Sequence, residues 1–97
     1  MTVTLCVVLW PVPGQEDALV DYEDRVLALL PKHNGRLLQR VRSVEIEPGP
    51  YEFHVIEFRD EASFDAYMND PARTAHSQLR EQAIARTEVV RVEPIAP

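Results

Sequence analysis

Phe53-His54-Val55-Ile56-Glu57-Phe58-Arg59-Asp60, followed further on by Asp70-Pro71, is the stretch that decides the fold. Side chains alternate between apolar and polar over residues 53–58, the period of a strand with one covered face. Asp60 then stands where a helix N-cap is wanted, before a segment carrying Phe64, Tyr67 and Met68. Asp70-Pro71 offers a second cap with proline at the first helical position, so the helix is expected in two pieces, the second with Ala72, Ala75, Leu79 and Ala83 along one side. Because Phe58 leads straight into the helix it should face it, taking Ile56 and His54 along. Phe53, Val55 and Glu57 then point to the opposite, open side.

Working outward, Val3 to Leu9 is apolar and rich in β-branched residues and ends at Pro11-Val12-Pro13-Gly14, a strand followed by a tight loop. Leu19, Tyr22, Val26, Leu29 and Leu30 recur at helical spacing behind Glu16 and Asp17, acids that favour a helix N-terminus. This helix should fray at Pro31 and stop by Asn34-Gly35, with Gly35 free to take the left-handed conformation. Arg36 to Val44 reads as a second strand, Glu45 to Pro50 as the turn into the third, and Glu88 to Val92 as the last strand. The order strand, helix, strand, strand, helix, strand predicts one α+β domain over residues 1–97, with a ferredoxin-like four-stranded antiparallel sheet and both helices on one face.

That arrangement leaves the other face bare. With Val3, Leu5, Val7 and Leu9 under the helices, Thr4, Cys6, Val8 and Trp10 join Phe53 and Val55 on an apolar open surface. A second copy is expected to cover it, closing two sheets into a barrel. The size of the chain agrees, since 97 residues bury only about two-thirds of their unfolded surface and a partner enlarges the core.

Composition narrows the function. With 16 acidic against 10 basic residues the net charge is −6, and no basic run is present, which argues against nucleic acid and anionic membranes as partners. No apolar run approaches the roughly 20 residues of a membrane span. Cys6 is the only cysteine, and Met1-Thr2-Val3-Thr4 lacks the basic region of a signal peptide, so a cytoplasmic protein without disulfides is expected. Glycine-rich phosphate loops, metal-spaced His/Glu clusters and nucleophile elbows are absent, and no cofactor or metal is expected.

The stretch Glu57-Phe58-Arg59-Asp60-Glu61-Ala62-Ser63-Phe64-Asp65-Ala66-Tyr67-Met68-Asn69-Asp70-Pro71 resembles the strand-to-helix segment of the dimeric α+β barrel superfamily. Antibiotic-biosynthesis-monooxygenase-like proteins and short families of unknown function belong to it, and Leu29-Leu30-Pro31-Lys32-His33-Asn34-Gly35-Arg36-Leu37-Leu38 resembles the first helix end of one such family. The resemblance implies a homodimer but not one reaction, because the superfamily hosts cofactor-free oxygenases, isomerases, cyclases, dehydratases and haem-degrading enzymes. Against the haem-degrading members, Tyr67 stands where an aromatic residue, usually tryptophan, occurs and His76 where the ligating histidine occurs. Cys6 replaces their asparagine, so haem degradation is the minor alternative.

Among single residues, His76 is a candidate base, since a neutral imidazole takes a proton near pH 7. Glu57, set among Phe53, Val55 and Trp10, would lose solvation and become a candidate acid or base, unless an ion pair with Arg40 across the hairpin tames it. Leu38, Arg40 and Arg42 share that open face if Leu37 and Val41 face the helices, and Arg40 is the candidate anion stabiliser. Cys6, Trp10, Phe53, Val55 and Tyr67 are the candidate pocket walls. His33 reads as a helix C-terminal cation and His54 as a hydrogen-bonded residue at the core edge. The expected protein is a homodimer binding an apolar or aromatic metabolite, acting as a cofactor-independent monooxygenase, isomerase or cyclase, or else as a non-catalytic ligand-binding or accessory protein.

Overall fold

The alternation of residues 53–58 is realised in strand β3, which runs Glu52–Phe58 and buries every second side chain: Glu52, His54, Ile56 and Phe58. The structure, a computed structural model, describes residues 1–45 and 48–97. Its elements are β1 (Val3–Pro11), α1 (Glu16–Leu27), a 3-10 turn (Leu30–His33), β2 (Gly35–Arg42), β3, α2 (Glu61–Met68), α3 (Pro71–Thr74), α4 (Ser77–Ala83) and β4 (Ile84–Val92). Among the described residues the strands form one antiparallel sheet in the order β2-β3-β1-β4. This is the ferredoxin-like α+β topology. No described helix is long and apolar enough to cross a membrane.

Local chemistry sets the joints. The Asp60 carboxylate accepts from the Ser63 amide at 2.8 Å and starts α2, and Asp70 accepts from the Ala72 amide at 2.8 Å and starts α3. Asp70 also binds His33 at 2.7 Å and Lys32 at 3.0 Å, tying the 3-10 turn to the helix break. A second break follows at Ala75-His76, so the expected second helical piece is itself split in two. Asn34, at φ 55°, takes the left-handed position that was expected of Gly35. Gly35 instead opens β2 beneath Phe58, where an added Cβ would lie 2.8 Å from the ring. Phe58, 1% exposed, packs against Phe64 and Tyr67 with ring centroids 5.4 Å apart in each pair, and burying such a side chain contributes about 3 kcal/mol.

The sheet carries two corrections. β4 begins at Ile84 rather than Glu88, because α4 ends at Ala83 and the chain turns extended at once, pairing Arg86 with Trp10. In β2 the pairing passes from Leu37↔Ile56 to Gln39↔Val55, leaving Leu38 as an extra residue. A bulge of one residue exchanges the faces of everything beyond it. Arg40 and Arg42 therefore stand opposite His54 and Glu52 on the helix side, while Arg36, Gln39 and Val41 share the open face with Glu57, Val55 and Phe53. The expected turn over Glu45–Pro50 includes Ile46 and Glu47, which lie outside the described residues.

Candidate functional site

Between the covered face of the sheet and the helices lies a cavity of about 320 Å³. Leu5, Val7, Ile56, Phe58 and Phe64 give it an apolar floor and side, and Tyr22, Glu23, His54, Tyr67, Arg73 and Arg80 supply its polar atoms. A volume of this size is at the small end of the roughly 300–1,000 Å³ range of ligand sites.

Helix and strand periods bring the polar groups together. Glu23 lies on the buried stripe of α1 with Leu19, Tyr22 and Val26, and is 6% exposed. Glu52 and His54 lie two apart on β3 and so share its covered face, each 1% exposed. His54 Nε2 is 2.7 Å from Glu52 Oε1, and the far side of the ring, Nδ1, is 3.6 Å from Glu23 Oε1. Nδ1 is buried and has no hydrogen-bond partner. Arg40 grips Glu52 from behind with Nε on Oε1 at 2.9 Å and Nη2 on Oε2 at 3.1 Å, and its Nη1 donates to Asp24 at 2.7 Å.

This row gives its members different charges. Burial raises the Glu52 pKa, but hydrogen bonds from His54 and Arg40 outweigh it, so the group sits below its ordinary value and stays ionised. Glu23 lacks such donors. Burial pushes its carboxyl up to about 7; His54 opposes the rise, Glu52 adds to it, and Arg73 and Arg40 oppose it. With Nε2 as the donor to ionised Glu52, a neutral His54 presents the Nδ1 lone pair on the Glu23 side. The row thus ends at the cavity with a basic nitrogen beside a carboxyl able to gain or lose a proton near neutrality.

The expected site residues are divided by the sheet. Of these, Tyr67 alone lines the cavity, where its hydroxyl donates to the Val26 carbonyl at 3.0 Å and burial pushes its pKa up to about 12. Arg40 lies outside the lining and is bonded to Glu52. Cys6, Trp10, Phe53, Val55 and Glu57 lie on the opposite face, Cys6 beside Val55, and Trp10 under the Arg86 guanidinium at 4.5 Å. The proposed Arg40–Glu57 pair does not form, since the Leu38 bulge sends Arg40 through to the other side and Glu57 binds Arg36 at 3.1 Å. His76 stands at the N-cap of α4, outside the described cavity lining.

Sequence reasoning passed over Glu23, Glu52, Tyr22 and Arg73. A signal for Glu23 existed, for an acid on the Leu19-Tyr22-Val26 stripe is out of place on a buried face. Glu52, at the same parity as His54, was legible in the same way. Nothing local marks Arg73. Among the described residues no group of three His, Cys, Asp or Glu side chains could hold a metal ion.

Solved structures share this architecture. A protein of unknown function from Rhodopseudomonas palustris matches with a TM-score of 0.78 at 13% identity, over 99% of this chain and 84% of that one. A dabb family protein with a ferredoxin-like fold from Mesorhizobium loti matches at 0.69 and 16%, over 98% of each chain. A NIPSNAP family protein of unknown function from Agrobacterium tumefaciens matches at 0.75 and 19%, over 96% and 87%. At these identities the likeness shows the fold alone, a ferredoxin-like α+β fold. No curated protein matches the chain. The family model described as a domain of unknown function, DUF1330, matches residues 12–95.

Proposed function

The chain belongs to the DUF1330 family, a domain of unknown function, and on that premise we propose that it binds a small apolar or aromatic metabolite in the cavity beneath its helices and moves a proton there. The observation that carries this reading is the row Arg40–Glu52–His54–Glu23, buried from Glu52 onward, which ends at the cavity with an unpartnered imidazole nitrogen. A row of buried charges is a poor way to stabilise a small core, because apolar side chains of like volume do at least as well. Its arrangement suits general acid–base chemistry. His54 Nδ1 takes a proton from a carbon beside a carbonyl, Glu52 holds the resulting imidazolium through Nε2–H, and the Glu23 carboxyl gives its proton to the oxygen that gains the charge. With a hydroxyl on the deprotonated carbon, return of the proton from His54 to the former carbonyl carbon, while that hydroxyl gives its proton to Glu23, completes an isomerisation and restores both groups. Cofactor-independent oxygenation and cyclisation open with the same proton removal.

A homodimer completes the proposal. Val8, Phe53, Val55 and Val90 share the open face and are incompletely buried in the protomer, and a second copy of that face is the partner whose apolar surface matches it.

Exchange of α-protons for deuterium in a panel of small aryl ketones, followed by NMR in D2O, tests the chemistry. The wild type is expected to accelerate exchange and His54→Asn to lose the acceleration. Binding without acceleration by the wild type would instead identify a non-catalytic ligand-binding protein.

A further inference from the structure

We infer that Arg73 makes the cavity a site for a small carboxylate with a flat apolar body. This rests on the proposal that the cavity is the ligand site, and goes beyond it in naming the ligand's class and the group that reads it. Arg73 lines the cavity from α3, and its Nε is buried without a hydrogen-bond partner. Several other arginines are answered by carboxylates, Arg40 by Glu52 and Asp24, Arg36 by Glu57 and Arg91 by Glu61, while Arg42 and Arg80, among the described residues, form no ion pair. Among the described residues Arg73 forms no ion pair. A guanidinium with an unanswered N–H at an apolar cavity is matched by a planar carboxylate, which accepts two parallel N–H bonds.

The surroundings set its plane and its neighbours. The Arg73 guanidinium carbon lies 5.2 Å from the centroid of the Tyr67 ring, and Tyr67 is itself fixed by its bond to the Val26 carbonyl and by Phe58. Arg80 brings a second cation to the lining, where it donates to the Thr87 hydroxyl at 3.4 Å and also lies against the Tyr22 hydroxyl. Against these two cations the lining holds one carboxyl, Glu23, so the cavity is cationic within a chain whose net charge is −6. Leu5, Ile56, Phe58 and Phe64 then receive the body of the ligand.

Binding of phenylacetate and of its uncharged isostere phenylacetamide to the full-length chain, measured by calorimetry, tests the assignment. The carboxylate is expected to bind about tenfold or more tightly than the amide, as one or two charge-assisted bonds provide. In Arg73→Gln the two should bind within about twofold of each other, with part of the preference kept in Arg73→Lys and all of it kept in Arg86→Gln on the open face. Equal binding of both probes by the wild type would overturn the Arg73 assignment and leave the cavity standing, as would a preference that survives Arg73→Gln. Binding of neither probe would remove the cavity as ligand site, and this assignment with it. Should Arg73→Gln fail to fold, an undiminished preference in Arg73→Lys would refute the two-bond geometry.

Discussion

Glu23→Gln removes the titration of one buried carboxyl while keeping its shape, and its effect should depend on pH in a way that surface carboxylates cannot imitate. The side chain is 6% exposed, and burial pushes its pKa from the ordinary 4.5 to about 7. The folded chain therefore holds this proton more tightly than the unfolded chain does. A carboxyl raised on folding adds stability that is complete below pH 4.5 and is lost as pH rises toward and through about 7. The gap between 4.5 and about 7, at about 1.36 kcal/mol per pH unit, is about 3 kcal/mol. Most of it, about 2.5 kcal/mol, falls between pH 5 and pH 8. Urea unfolding of wild type and Glu23→Gln at each pH from 5 to 8 measures it as a difference, in which unchanged groups cancel. The variant should gain about 2.5 kcal/mol on the wild type across that range, whatever the offset at pH 5. A difference that stays flat would mean that Glu23 ionises as it does in water, and the acid of the proposed pair would be lost.

Gly35→Ala places a methyl group 2.8 Å from Phe58 Cε1 and 3.2 Å from Leu30 Cδ2, in a core that cannot yield easily, so urea unfolding should show a loss of about 1–3 kcal/mol. Asp70→Ala should lower the thermal midpoint followed by circular dichroism, because it removes a helix cap and the partner of His33 and Lys32. Those contacts hold the Asp70 carboxyl far below its ordinary 3.8, His33 first, so its contribution is present above pH 3.8 and is lost only in stronger acid. Val55→Lys puts a charge in the middle of the open face, and sedimentation should find the wild type dimeric at micromolar concentration and the variant monomeric.

The fold was legible because its decisive signals are local. Alternation over residues 53–58, the caps Asp60 and Asp70-Pro71, and the stripe on α1 each report a period or a single backbone bond, and each stands where expected. What failed was register. One extra residue at Leu38 carried Arg40 to the other face, and a bulge inside an edge strand leaves no mark in a run such as Arg36-Leu37-Leu38-Gln39-Arg40. The start of β4 was hidden for a related reason, since Ala85-Arg86 continues α4 plausibly and only pairing with β1 makes it extended.

The site was harder because a cavity is a shortfall of volume among side chains distant in sequence. Trp10, Phe53 and Val55 drew attention as an apolar group in need of a ligand, yet they form the open face of the sheet, while the void lies behind it. His54 was placed correctly toward the helices and undervalued, because its meaning depends on Glu23 from α1 and Glu52 from its own strand meeting at its two nitrogens.

A crystal structure of the protein grown with saturating phenylacetate shows directly whether the cavity is the ligand site. The ligand is expected between sheet and helices, against Tyr67, with its carboxylate on Arg73 and its methylene carbon on the side of His54 Nδ1. Density only on the open face by Trp10 and Phe53, with the cavity empty, would contradict that placement.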